Sequence, residues 1–286
     1  MDERRTDLKR IIMDTKTLPT LPGVITKLNA LSENDKASVQ EMARIVSSDQ
    51  VLSARILRLA NSPSYGFYRV STISNAMILL GVNVVKSLAL SSSIFEIMEK
   101  NSIGLWEHSL GVATAANITA KKLGIPEVEE IATAGLLHDI GKVIIGLKCA
   151  EAISDIRALT ITDQIYFREA EQLVLDTDHA EVGGWLAKSW YLPDKLSEPI
   201  AFHHAPAKSE DHRIKTAVVH VADVLIKASG FGDSGDQYVP AIEPVAWEAL
   251  KLDEKLLDEI VVELEDKLIE VKNFSLEMQI ADATEA

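Results

Sequence analysis

All seven histidines of this chain fall after residue 100: His108, His138, His179, His203, His204, His212 and His220. His138-Asp139 closes a small-to-apolar run, Ala134 to Leu137, and His203-His204 follows Ile200-Ala201-Phe202. Asp223 interrupts a third apolar stretch, Ala217–Ile226. An ionised carboxylate in such a setting is costly unless it is paired or binds a cation. Neutral imidazole and carboxylate are ligands suited to iron, zinc, nickel or manganese, and a shared Asp can bridge two ions. Five histidines and two aspartates, each closing or interrupting an apolar helix segment, therefore read as a metal set. The spacings between successive members, 30, 41, 24 and 19 residues, match no short zinc motif, so the argument is compositional. A buried histidine that merely satisfies a local carbonyl is the ordinary alternative for any one of them. His220 precedes Asp223 by three residues and shares its helix face, so it reads as a supporting or core histidine. His212 is expected to be exposed, and the single Cys149 to be a packed or idle thiol outside the set.

The elements that must position these residues read as helix throughout. Apolar residues recur every three to four positions, and no long alternating strand pattern appears. Helices are expected at about 39–46, 49–60, 74–81, 83–99, 102–123, 127–139, 163–175, 179–189, 194–204, 211–228 and 253–275. Gly124 with Pro126 beyond it closes one of them, and Asp178 with Glu181 reads as a capping pair for another. Gly230–Asp236 reads as a plain loop, with acids too few and wrongly spaced for calcium. The histidine-free first hundred residues set a boundary: 1–100 as one helical subdomain, 101–230 as a metal-bearing one, and 231–286 as a loop and acidic helix packed on the body.

Composition limits the remaining choices. The chain has 286 residues, 47% of them hydrophobic, enough for two domains or one large one without staples. One cysteine excludes a disulfide scaffold and suits a reducing cytoplasm. No apolar run reaches membrane-spanning length, and the N-terminus lacks a signal peptide's hydrophobic core. The formal charge of −14 argues against a broad nucleic-acid face, although half of it lies in residues 251–286, where eleven acids face four lysines. That segment reads as an amphipathic helix with a solvated acidic face.

The order His108, His138-Asp139, His179, His203-His204, Asp223 resembles the ligand series of the HD superfamily of metal-dependent phosphohydrolases, and Leu136–Lys142 resembles its HDIGK segment. Leu18-Pro19-Thr20-Leu21-Pro22, Ser48-Asp49-Gln50, Leu57–Pro63, Ile73–Ala76 and Leu80-Gly81 together resemble the HDOD domain, the HD-related output domain of bacterial signalling. The resemblance covers roughly residues 10–230. It implies an all-α fold of two helical subdomains, the C-terminal one an HD-type bundle. Many HDOD proteins lack part of the ligand set; here the whole series is present, as in the HD-GYP phosphodiesterases, but Ala205-Pro206-Ala207-Lys208 stands where those have Gly-Tyr-Pro.

The resemblance further implies two divalent transition-metal ions, iron foremost, with manganese, nickel or zinc as alternatives. His108, His138, Asp139 and Asp223 would hold one; His179, His203 and His204 would hold the other, with Asp139 bridging. A bridging hydroxide would attack phosphorus. Asp139 and Lys142 are the catalytic candidates: Lys142, one turn past Asp139, would neutralise a phosphate oxygen, or else stand as a solvated lysine at a helix end. The function implied is a cytoplasmic signalling or regulatory protein with a complete dinuclear site, acting as a phosphohydrolase or binding a phosphorylated or cyclic nucleotide, and taking its input from a signalling partner. An active cyclic (di)nucleotide phosphodiesterase is one alternative. A nucleic-acid adaptor is another, since 74–80 and 83–99 have the cadence of a helix-turn-helix, but the second helix carries almost no positive charge.

Overall fold

The computed structural model describes residues 2–13, 42–43, 73–80, 103–189 and 194–285. Among them every regular element is helical, in keeping with the all-α expectation. The expected helices at 49–60 and 83–99, the helix-turn-helix that needs the latter, and the motifs over 18–22 and 48–63 lie outside the described residues. Chain contacts divide the protein into two units: Met1–Asp14 with Met98–Ala286, and Thr15–Ile97. In the smaller unit Met42 and Ala43 are helical and buried, and one further helix spans Ile73–Leu80, with Ala76, Met77 and Leu80 buried.

The larger unit holds α1 (Asp2–Met13) and, leaving α2 for the helix of the smaller unit, continues with α3 (Ile103–Lys122), α4 (Val128–Leu137), α5 (Ile140–Lys148) and α6 (Ala150–Thr162). After these come α7 (Phe167–Leu175), α8 (His179–Ser189), α9 (Asp194–Phe202), a 3₁₀ turn at Pro206–Lys208, α10 (Arg213–Ser229), α11 (Pro244–Leu250) and α12 (Glu254–Glu285). The core forms where α3 packs against α4, α10 and α12. Val112, Ala115 and Ile118 of α3 meet Ile131 of α4, Val218, Val221 and Leu225 of α10, and Ile260 and Leu264 of α12 in one buried cluster. Each such aliphatic side chain contributes about 1.5–3 kcal/mol on burial. On α12, Glu254, Asp258, Glu259, Glu265 and Asp266 are exposed while Ile260, Leu264 and Leu268 are buried, as in an amphipathic helix.

Local signals explain the boundaries nearest the histidines. Asp178 caps α8 by accepting the Glu181 amide at 2.9 Å, but the Glu181 carboxylate bonds Thr177 and Arg5 rather than returning to the cap. The expected helix 127–139 ends at Leu137, and His138-Asp139 forms a turn into α5. The helices α1, α5, α6 and α11 have no counterpart among the expected elements. In α5, Ile140 to Ile145 are all buried, leaving no polar face to set a helical period. The α5 helix lies against α8 so tightly that a Cβ on Gly141 would meet the His179 carbonyl oxygen at 1.9 Å. On the far side of α8, α1 buries Leu8 and Ile12 and brings Lys9 Nζ to 5.4 Å from the Trp185 ring centroid.

Candidate metal centre

The seven residues of the predicted set are delivered by five separate helices or turns. His108 comes from α3, His138-Asp139 from the α4–α5 turn, and His179 from the first residue of α8. His203-His204 follow the end of α9, and Asp223 lies in the middle of α10. Asp139 stands at the N-cap position of α5, where an aspartate ordinarily binds the helix amides. Its side chain makes no capping bond there. It turns instead toward the histidines.

The structure brings all seven residues together. His108, His138 and Asp223 offer ligand atoms within 4.8 Å of one another, as do His179, His203 and His204. A third group of the same compactness, His138, Asp139 and His203, joins these two. The Asp139 carboxylate spans them. Its Oδ1 lies 3.1 Å from His179 Nε2 and 3.8 Å from His203 Nε2, and its Oδ2 lies 3.3 Å from His138 Nε2 and 3.8 Å from His108 Nε2. All but His204 are fully buried.

Backbone contacts fix which ring nitrogen faces inward. His138 Nδ1 donates to the Gly135 carbonyl at 2.7 Å, and His203 Nδ1 to Ile200 at 2.8 Å, so both Nε2 atoms face the cluster. Neither Nε2 has a hydrogen-bond partner, and neither does Asp139 Oδ1. Three converging buried ligand atoms without hydrogen-bond partners are costly as a purely structural cluster. A bound cation would satisfy all three, so the donor set fits a divalent metal. His179 is held differently: Glu171 Oε2 accepts from its ring Nδ1 at 2.5 Å and from its main-chain amide at 2.9 Å. A carboxylate behind a ligating imidazole is a recurrent way to fix its tautomer and raise its basicity.

Electrostatics follow the geometry. Burial pulls His203 and His204 well below the ordinary imidazole pKa, and neighbouring rings add to it. Burial also lowers His108 despite Asp223 beside it. For His138 burial opposes protonation, but Asp139 and Asp223 outweigh it and raise the pKa to about 9. His179 is raised too, by Glu171 and Asp139 against burial. Burial would raise Asp139, yet His138, Lys142 and His179 hold it well below the carboxylate range. Burial is likewise outweighed at Asp223, by Lys227 and His108.

Lys142 is not a solvated lysine. It is buried, and its ammonium bonds Asp139 Oδ2 at 2.7 Å and the Ser234 carbonyl at 2.9 Å. His220 is fully engaged, donating from Nδ1 to the His203 carbonyl at 2.7 Å and accepting the Glu243 amide at Nε2 at 2.9 Å. It therefore supports His203 and takes no place among the ligand groups. His212 is half-buried rather than exposed, and Cys149 lies half-buried outside the cluster.

Four contributors escaped the sequence reading. Glu171 is fully buried on the inward face of α7, and a charge on an apolar stripe was its available signal. Lys227, four residues after Asp223, bonds Asp223 Oδ2 and Asp236 Oδ2, each at 2.9 Å. Asp236 also accepts the Phe167 amide at the start of α7 at 2.8 Å. The Gly230–Asp236 segment is thus part of the site wall. Gly232 approaches α3 so closely that a Cβ would meet the His108 amide nitrogen at 2.3 Å.

A helical bundle enclosing an HD-ordered His/Asp cluster defines a class of protein. The HDOD domain family's sequence profile matches residues 18–206, and the chain belongs to that family. Among solved structures it is similar to an HDOD domain protein of unknown function from Geobacter sulfurreducens, with 29% identity, a TM-score of 0.79, and 96% of this chain and 98% of that one covered. It is also similar to a protein from Shewanella amazonensis provisionally named a phosphohydrolase, with 27% identity, a TM-score of 0.72, and 92% and 96% covered. An uncharacterised protein of Treponema pallidum is 24% identical over 216 residues, 73% of this chain. The chain spans 42% of that relative's length. No helix among the described residues is long and apolar enough to cross a membrane.

Proposed function

We propose that this protein is a cytoplasmic regulatory HDOD protein whose buried cluster holds two divalent transition-metal ions, iron foremost, and acts on phosphate esters of the nucleotide type. His108, His138, Asp139 and Asp223 would hold one ion; His179, His203 and His204 would hold the other, with Asp139 shared. The observation that carries this reading is the convergence of three buried ligand atoms without hydrogen-bond partners: His138 Nε2, His203 Nε2 and Asp139 Oδ1. Such ions, when bound, supply Lewis acidity and a water acidified toward neutral pH. The chain's own residues do the rest. Asp139 presents one oxygen to each histidine triad, Glu171 fixes the His179 ring, and Lys227 with Lys142 offsets the carboxylate charge. Lys142 stands where a phosphate oxygen approaching Asp139 would meet a cation. Input from a signalling partner completes the regulatory role.

Metal analysis of protein purified without chelator is the direct test, with two transition ions per chain expected and loss of both affinity and turnover in Asp139→Ala. A metal-free protein with a normal melting transition overturns the proposal. Ions bound without turnover of any cyclic or linear nucleotide, with iron or manganese added, would leave a metal-bearing binding module.

A further inference from the structure

Next to the cluster, Lys142 also lines a cavity of ≈ 200 Å³. Val143, Ile153 and the Phe167 ring give it apolar walls, and Gly146 leaves one wall without a side chain. Arg157, exposed and without a carboxylate partner among the described residues, contributes a second cation, and Asp233 an exposed carboxylate. The cavity is tied to the centre through Lys142, whose Nζ is 2.7 Å from Asp139 Oδ2 and 5.4 Å from the Phe167 centroid. Its size is below the roughly 300–1,000 Å³ of a site that encloses a whole drug-sized ligand. One flat ring system fits that scale, with a charged group left outside at the lysine.

We infer that this cavity seats the ring of a ring-bearing phosphate ester whose phosphate lies at Lys142 and the His/Asp cluster. The proposal rests on the phosphate-ester reading above and gives it a specificity pocket. A nucleoside phosphate and a simple aryl phosphate share this chemistry. The apolar walls take the ring of the ligand, while Arg157 and Asp233 offer a donor and an acceptor to polar groups on a nucleobase edge. A plain aryl ring would use the walls alone.

Gly146 supplies the test. A Cβ there meets nothing within 4 Å, and the backbone is helical, so Gly146→Leu fills the cavity without disturbing the fold. The metal-loaded full-length protein is titrated calorimetrically with inorganic phosphate, phenyl phosphate and the four nucleoside 5′-monophosphates. At least one ring-bearing ester should bind about tenfold or more tightly than inorganic phosphate, the scale that burying about 55 Å² of apolar surface supplies. Gly146→Leu should abolish that advantage while metal content and melting temperature stay at wild-type values. Preference for a nucleotide over phenyl phosphate assigns the rim a role in base recognition; equal affinity assigns recognition to the walls. Ring-bearing esters that bind no better than phosphate to the two-metal protein, or an advantage that survives Gly146→Leu, overturn the pocket alone. Tight nucleotide binding without hydrolysis overturns the hydrolase reading and leaves the pocket standing.

Discussion

Replacing Glu171 by glutamine separates the two halves of the centre. Glu171 is fully buried, and one of its oxygens, Oε2, takes both the ring Nδ1 and the main-chain amide of His179. A glutamine oxygen can accept the same two donors, so ring position is kept and the negative charge behind the ring is lost. Losing a partner of this kind typically lowers metal affinity about 10- to 100-fold, which is about 1.4–2.7 kcal/mol. The other oxygen, Oε1, has no donor, and glutamine puts an NH₂ group there. An unsatisfied buried donor costs about 1–3 kcal/mol of stability, so the variant should melt earlier even without metal. The ion held by His179, His203 and His204 should weaken, while the His108, His138 and Asp223 triad, which Glu171 does not touch, should retain its affinity. Chelator competition followed by ion counting resolves the two sites. Equal weakening at both, or unchanged affinity at both, would refute the argument that Glu171 acts through the His179 ring.

Three further outcomes follow from contacts around the centre. Lys227→Met leaves the buried carboxylates Asp223 and Asp236 without their shared cation and should cost about 3–5 kcal/mol; chemical denaturation should show part of that loss recovered with added metal, because a cation at Asp223 replaces one of the two pairings. Gly141→Ala drives a Cβ into the His179 carbonyl and should cost about 1–3 kcal/mol or more, with loss of the second ion; a wild-type melt would show that α5 and α8 can separate freely. Burial pushes the Asp178 carboxyl up, but His179, Arg168 and the Glu181 amide hold it well below the usual range. Its stabilisation is therefore complete above the ordinary carboxylate pKa of about 3.9 and is lost as pH falls toward its folded value. Asp178→Asn keeps an N-cap of similar quality and removes that charge, so denaturation followed from pH 6 down to pH 2 should fall less steeply in the variant, and parallel curves would contradict the assignment.

How much of this could be read in the sequence depended on whether a residue acts by its type or by its surroundings. His138-Asp139, His203-His204 and Asp223 announced themselves because a ligand-type residue at the edge of an apolar run is chemically conspicuous. Their convergence was beyond reach of spacing alone, since separations of tens of residues fix no distance; the family resemblance supplied the grouping, and the folded chain brings the same seven side chains together. Lys227 was readable in principle as the i+4 partner of Asp223, and Glu171 as a charge on the buried stripe of α7. The Gly230–Asp236 loop was not, because it contributes a main-chain carbonyl from Ser234, a close approach at Gly232 and one carboxylate at Asp236, none of which has a periodic signature. The same loop explains why the site holds as a unit. Asp236 joins Lys227 of α10 to the first amide of α7, and α7 in turn carries Glu171 to His179. Asp223 and His179, members of different triads, are therefore connected through ion pairs at Lys227 and Glu171, the Phe167 amide bond and the α7 helix, as well as through Asp139. A perturbation at the loop should consequently reach both triads, although no residue of the loop belongs to either.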